Sequence, residues 1–248
     1  MTRTSFSRST WGQAVIRSDL GASVGRPSLD LEGDLIATVL DLLRVGWTAV
    51  CVSGEIMPDS TEPQIARRLS REMISEKKRR GINRLRFEEE VGTVSSPDAI
   101  RVEGRIDVKV IYSFDENEYF GIECKRVSGR RGDGLADKYV DEGIARFVSG
   151  RYSPGHRWAA MSGFVIDGEV VRSVELVAAA VVSKKRAIAL VEGWATEDRF
   201  GRQEHLYRTR HRQSGRDSHI NLLHFFLAMN PQDKHSQPTR TGRSTMGN

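Results

Sequence analysis

The stretch "GRIDVKVIYSFDENEYFGIECKRV", residues 104–127, decides how this chain is read. Two runs of alternating apolar and polar residues flank the polar centre "SFDENE", the pattern of two strands joined by a turn. Side chains along a strand point to alternate faces. Ile106, Val108 and Val110 are therefore expected on one face with Phe120, Ile122 and Cys124, and Asp107, Glu123 and Lys125 on the other. Directly opposed residues of an antiparallel pair share a face, which predicts a register pairing 107 with 123 or 125, and 108 with 122 or 124. One face suits a core. The other carries two carboxylates and an ammonium.

That second face has a definite chemistry. Paired carboxylates offer hard oxygen ligands for Mg²⁺, and the cation offsets the repulsion between them. Lys125, two residues along from Glu123, adds a positive charge that can orient a water or stabilise charge on a phosphate. Hydrolysis of a phosphodiester needs a metal, an activated water and a cation. The plain alternative is a solvated sheet face with a weak cross-strand ion pair.

The segments around the hairpin set its context. "SLDLEGDLIATVLDLLRVG" places Leu31, Leu35, Val39, Leu42 and Leu43 at helical spacing, with Gly46 as the expected stop, and "WTAVCVSGEI" follows as a short strand. In "STEPQIARRLSREMISEKKRR", Thr61 and Gln64 form a capping-box pair with Pro63 in the first turn, and Ile65, Leu69, Met73 and Ile74 make an apolar stripe. "RLRFEEEVG" reads as a strand and "SSPDA" as a turn. After the hairpin, "SGRRGDG" is expected to be a flexible loop. "LADKYVDEGIARFVSG" is expected to be an amphipathic helix burying Leu135, Tyr139, Val140, Ile144 and Phe147, with Gly150 as its C-cap. "HRWAAMSGFVIDG" is a buried strand, which a right-handed crossover sets parallel to the second hairpin strand. "EVVRSVELVAAAVVSKKRAIALVEGW" reads as helical, and "EHLYRTRHRQ" and "HINLLHFFLAM" as closing strands.

The expected fold is thus α/β: a mixed central sheet flanked by helices in a single domain over 28–230. Residues 1–27 are expected to be a flexible segment and 231–248 a disordered polar tail. The order from Thr61 to Asp167, helix–three strands–helix–strand, together with Asp107 and the triplet Glu123-Cys124-Lys125, resembles the restriction-endonuclease-like, PD-(D/E)xK, nuclease superfamily. Ile106 stands where the signature's name has Pro. The N-terminal helix and the C-terminal strands are additions to that core.

The resemblance implies a Mg²⁺-dependent deoxyribonuclease, with Mn²⁺ able to substitute. Asp107 and Glu123 would bind the metal with the carbonyl of Cys124, and Lys125 would act on the attacking water. Glu62, on the helix before the sheet, is a further candidate ligand, although an acid in a first helical turn is favourable by itself. One of Glu88, Glu89 and Glu90 could take its place. The implied partner is DNA rather than RNA, in restriction, repair or defence against foreign DNA. A homodimer mate or a separate targeting or motor protein is expected to assist. The alternatives are a catalytically inactive nuclease-fold module that binds nucleic acid, or a structural or interaction protein.

A net charge of +5 is compatible with a polyanionic partner. Arg130 and Arg131 in "SGRRGDG" are candidate backbone contacts; the loop lacks the order of glycines or the Gly-Lys-Ser/Thr ending of a nucleotide-binding loop. Arg208, Arg210 and Arg212 lie in an arginine-rich stretch that suits phosphate contacts, or equally a charged edge that blocks strand pairing. Cys51 and Cys124 have no partners at metal-ligand spacing, which fits a reducing cytoplasm. The longest apolar run, "LVAAAVV" at 176–182, is too short to cross a bilayer, so no membrane is expected.

Overall fold

A computed structural model describes residues 31–93, 104–113, 115, 117–201 and 203–229. The expected segments 1–27 and 231–248 and the "SSPDA" turn lie outside them. The chain runs through α1 (Leu31–Ser53), α2 (Glu62–Arg79), β1 (Arg86–Thr93), β2 (Gly104–Ile111) and β3 (Tyr119–Val127). Then come α3 (Leu135–Tyr139), a π-helical turn (Val140–Ile144), α4 (Ala145–Val148), β4 (Trp158–Val165) and α5 (Val170–Ser183). It closes with β5 (Leu190–Thr196), β6 (Leu206–Arg212) and β7 (His219–Ala228).

These strands form one seven-stranded mixed sheet in the order β1-β2-β3-β4-β7-β6-β5. β3, β4 and β7 are parallel to one another, and the remaining pairs are antiparallel. The crossover through α3 and α4 does set β3 and β4 parallel. Helices cover both faces. α1 and α2 pack over Val108, Val110, Phe120, Ile122, Cys124 and Phe164. The helical segment 135–148 and α5 cover Ile111, Tyr119, Val127, Met161 and Phe226.

Two elements depart from expectation. α1 does not stop at Gly46; it continues to Ser53 and absorbs the expected short strand. Trp47 and Val50 extend its buried stripe, and each such burial is worth roughly 2 kcal/mol. A glycine inside a helix costs only about 1 kcal/mol. Gly46 is where α1 meets α2: a Cβ built there would lie 3.1 Å from Met73 Cγ and 3.2 Å from Met73 N. By length and composition Glu32–Ser53 is also apolar enough to span a bilayer, unlike the run 176–182. Its inner face is nevertheless buried in this core, through Leu35, Ile36, Val39, Leu40, Leu42 and Leu43.

The second departure is at 169–194, where helix α5 ends at Ser183 and a strand follows. Ala189, at φ 42°, turns the chain, and β5 then pairs antiparallel with β6. Trp194 stacks on His224 at 4.5 Å and fixes this edge strand to the sheet. The apolar run suited a helix or a strand, and the polar "SKKR" marked the change.

The expected capping box is present, with Thr61 N–H donating to Gln64 Oε1 at 2.9 Å. It fixes the start of α2, and so the position of Glu62.

Candidate active site

The hairpin pairs Val108 with Ile122, Lys109 with Gly121, Val110 with Phe120 and Ile111 with Tyr119, in the even register the alternation requires. β2 stays paired with β1 down to Gly104, but leaves β3 beyond Val108. The two strands splay just where Asp107 faces Glu123. The expected alternation does not reach Ile106. Ile106 does not join Val108 and Val110; it belongs to the opposite cluster with Tyr119 and Tyr139. The alternation breaks where β2 bends away.

The splay leaves backbone groups of β3 without a strand partner, and carboxylates take them. Cys124 N–H donates to Asp107 Oδ2 at 2.7 Å, and Arg126 N–H donates to Glu62 Oε1 at 3.0 Å. Amides two residues apart on a strand face the same edge, so Asp107 and Glu62 line one opening. Lys125 Nζ reaches Glu123 Oε1 at 2.7 Å, the Cys124 carbonyl at 3.0 Å and Glu62 Oε2 at 3.4 Å. Five residues singled out from sequence thus meet at one place. The helix α2 supplies Glu62, β2 supplies Asp107, and β3 supplies the other three.

This is no solvated sheet face. Glu123 is 1 % exposed and Lys125 5 %. The helical segment 135–148 covers them, with the ideal Cβ position of Gly143 only 3.6 Å from Lys125 Cγ. Burial pushes the Glu123 carboxyl up to about 8, and the Asp107 charge adds to the rise, against the lowering effect of Lys125 and Arg146. Burial also raises Asp107, against the Cys124 N–H and Lys125, which favour its charged form. For Lys125, burial works against the ammonium, but Glu123 and Glu62 outweigh it and hold the group protonated well above its ordinary range.

Sequence reasoning missed Arg146. Its Nη1 donates to Glu123 Oε1 at 2.9 Å and to the Tyr152 hydroxyl at 2.9 Å. Tyr152 in turn donates to the carbonyl of Arg105 at 2.6 Å. A lone arginine on an amphipathic helix carries no distinguishing signal. It reaches Glu123 because the helix contains a π turn and presses on β4 at Gly143, where an added Cβ would fall 2.3 Å from Met161 Cε.

The donors fit a small hard cation in one respect. Glu123 Oε2 is buried and has no hydrogen-bond partner among the described residues, which leaves a hard oxygen free to take a ligand. Among the described residues, no three or more His, Cys, Asp or Glu side chains are grouped to hold a metal. Mg²⁺ does not demand such a cage, since it keeps several waters and takes one or two carboxylates.

The basic candidates are less concentrated. Arg130 and Arg131 are exposed, on the loop directly after β3. That loop is tied down: Ser128 Oγ donates to Asp133 Oδ2, Leu135 N–H to Asp133 Oδ1 at 2.9 Å, and Gly129 N–H to Asp167 Oδ2 at 2.9 Å. Arg208, Arg210 and Arg212 lie on β6, which β4 and β7 separate from β3. Arg208 is engaged by Glu192 and Glu197, and Arg210 by Glu192, as a charged sheet edge would be. Glu88 pairs with Arg86 and Lys109 rather than with the site.

No protein-family model, curated protein or solved structure matches this chain.

Proposed function

We propose that the protein is a Mg²⁺-dependent nuclease of the restriction-endonuclease-like kind, hydrolysing phosphodiester bonds of DNA. The observation that carries this reading is the meeting of Asp107, Glu123 and Lys125 where β2 leaves β3, with Glu123 Oε2 buried and unpartnered. A carboxylate oxygen left without a partner in the interior costs about 1–3 kcal/mol, which a bound cation would offset.

Asp107 and Glu123 would hold the metal, with the Cys124 carbonyl beside them. When bound, Mg²⁺ supplies positive charge that lowers the pKa of water and polarises a phosphoryl oxygen. Lys125, kept protonated by Glu123 and Glu62, is a donor and not the base. It offers N–H to the attacking water's oxygen and to the charge that builds on the phosphate. As the water's oxygen bonds to phosphorus it releases a proton to solvent, the bond to the 3′ oxygen breaks, and that oxygen takes up a proton from solvent. A 5′-phosphate and a 3′-hydroxyl result. Glu62 holds Lys125 from the second side and the Arg126 amide from below. Arg130 and Arg131, exposed after β3, are placed for contacts to the substrate backbone. In a cell this activity belongs to DNA restriction, repair or defence in the cytoplasm, with a dimer mate or a targeting protein to direct it.

One observation favours a second reading, a nuclease fold that binds nucleic acid without cutting it: Glu123 Oε1 already has two cationic partners. Incubating the protein with plasmid DNA separates the two. Cleavage in Mg²⁺ that stops with EDTA supports the nuclease; binding without cleavage in Mg²⁺ or Mn²⁺ favours the module.

A further inference from the structure

Three charged side chains meet at Glu123 Oε1, and they differ in access. The Glu123 and Lys125 side chains are 1 % and 6 % exposed, whereas Arg146 is 31 % exposed. One guanidinium nitrogen of Arg146, Nη1, serves both Glu123 and Tyr152. Among the described residues, no side chain or carbonyl accepts a hydrogen bond from its Nε or Nη2. Half of a rigid planar donor fork is thus anchored, and the other half is open.

We propose that Arg146 contacts the phosphate at the cleavage site, and that Glu123 and Tyr152 hold the guanidinium ready for it. The proposal rests on the nuclease reading for the identity of the substrate. Three observations converge on it. First, Lys125 already neutralises Glu123 at 2.7 Å, so a second cation on the same oxygen is surplus to a structural pair, while Oε2 is left with none. Second, the route by which Arg146 arrives is specific. A five-residue π turn precedes it, and such turns are rare and concentrate at functional sites. Gly143, within that turn, lets the helix lie against Met161 and Lys125 with no side chain between. Third, the chemistry matches the ligand. A guanidinium with paired free donors suits phosphate oxygens, which a lysine meets only as a point charge.

Arg146 and Lys125 flank the same carboxylate oxygen. A phosphate drawn to the Asp107–Glu123 opening therefore meets an ammonium on one side and a guanidinium on the other. A cation held by Glu123 would compete with Arg146 for that carboxylate and leave more of the guanidinium for the phosphate.

The test uses the full chain and a short mixed-sequence DNA duplex, with Ca²⁺ replacing Mg²⁺ so that binding is read without cleavage. Affinity is measured over a series of NaCl concentrations for wild type, Arg146→Met and Arg146→Lys, and each variant's melting temperature is recorded. Arg146→Met is expected to bind about tenfold more weakly and to flatten the log–log salt slope by about one. Arg146→Lys should restore the slope, yet cleave at least tenfold more slowly in Mg²⁺, because the fork is lost. An Arg146→Met protein that melts like wild type and keeps the wild-type slope overturns the proposal and leaves Arg146 as a holder of Glu123. Should Arg146→Met fail to fold, Arg146→Gln, which keeps a donor for Glu123 without the charge, decides by the same measurement, and a wild-type slope in it overturns the contact. A wild type that binds DNA but never cuts it refutes the nuclease reading alone, and the slope comparison still judges Arg146. A wild type that does not bind DNA overturns both.

Discussion

Glu62 Oε1 accepts the backbone N–H of Arg126 at 3.0 Å, so the first residue of α2 closes a hydrogen bond that β2 has left open on β3. Its second oxygen faces Lys125 Nζ at 3.4 Å. Glu62→Gln keeps an oxygen for the amide and removes the charge beside Lys125. Cleavage is expected to fall about tenfold, the scale of losing a group that supports catalytic residues, with melting nearly unchanged. Wild-type rates in Glu62→Gln would reduce Glu62 to a helix-terminal acid.

Asp107 carries two jobs that substitutions can separate. Asp107→Ala removes a candidate metal ligand and also strands the Cys124 N–H in the interior, at about 1–3 kcal/mol of stability. Asp107→Asn retains an acceptor for that amide and should fold like wild type, yet lose Mg²⁺ affinity and cleavage. Calorimetric Mg²⁺ titration beside thermal melting of both variants distinguishes the roles. Mg²⁺ bound equally well by Asp107→Asn would exclude Asp107 as a ligand.

Lys125→Met should lower cleavage by about 10²–10³-fold, the usual cost of losing one donor aimed at developing charge. The fold should tolerate the change, because Glu123 keeps Arg146 as a cationic partner and burial favours its neutral form once Lys125 is gone. Retained cleavage in this variant, at unchanged melting temperature, would remove Lys125 from the mechanism.

A separate buried chain predicts acid sensitivity. The Ile188 carbonyl can only accept, so His211 Nδ1 donates to it at 2.7 Å, and His211 Nε2 accepts from Thr209 Oγ1 at 2.7 Å. Thr209 then accepts from His224 Nε2 at 2.7 Å, and His224 Nδ1 accepts from Tyr139 at 3.1 Å. Both rings are neutral in this arrangement. Burial lowers His211 to about 4 and His224 well below its ordinary value. The unfolded chain therefore takes up protons first as pH falls. The stability contributed is complete above about pH 6.5 and is lost on the way down to about 4, amounting to about 3 kcal/mol for His211. Glu123 acts oppositely, since its raised pKa makes the folded state the better proton binder between its ordinary value and about 8. The discriminating quantity is thus the stability of wild type minus that of His211→Gln, followed by urea unfolding across this range. A difference flat in pH would mean that His211 is not buried neutral.

Gly46 tests the contact between α1 and α2. Gly46→Ala gains about 1 kcal/mol of helix propensity, which offsets the tight approach to Met73. Gly46→Val adds bulk against the Met73 backbone and should destabilise by about 2 kcal/mol. Denaturant midpoints for the pair give the answer, and equal midpoints would mean that the helices are free to move apart.

The parts of this fold that were legible in the sequence are those fixed by local periodicity. Alternation over 107–110 and 120–125 gave the hairpin register, because a slip of one residue would have reversed every side chain. The capping box at Thr61 located Glu62. What escaped was decided by distant partners. Gly46 has the character of a helix stop until Met73 is seen against it. The run after Ser183 suits a helix until β6 offers it an edge. Ile106 changes face only because β2 leaves β3. Arg146 meets Glu123 across 23 residues through a π turn that no spacing rule announces.

The position of β7 has a consequence for synthesis. This strand is the last of the seven to leave the ribosome, yet it lies between β4 and β6, and Trp47 Nε1 donates to its Ala228 carbonyl at 2.7 Å. A nascent chain that has reached only Arg212 has the hairpin and β4, but one edge of β4 is bare and β6 has no strand to pair with on its inner side. The sheet therefore cannot close until β7 has been made. Fragments ending before Ala228 are expected to aggregate through that open edge, without partial activity. The Asp107–Glu123 hairpin is made early, yet the sheet that holds it would be completed only once β7 has paired with β4.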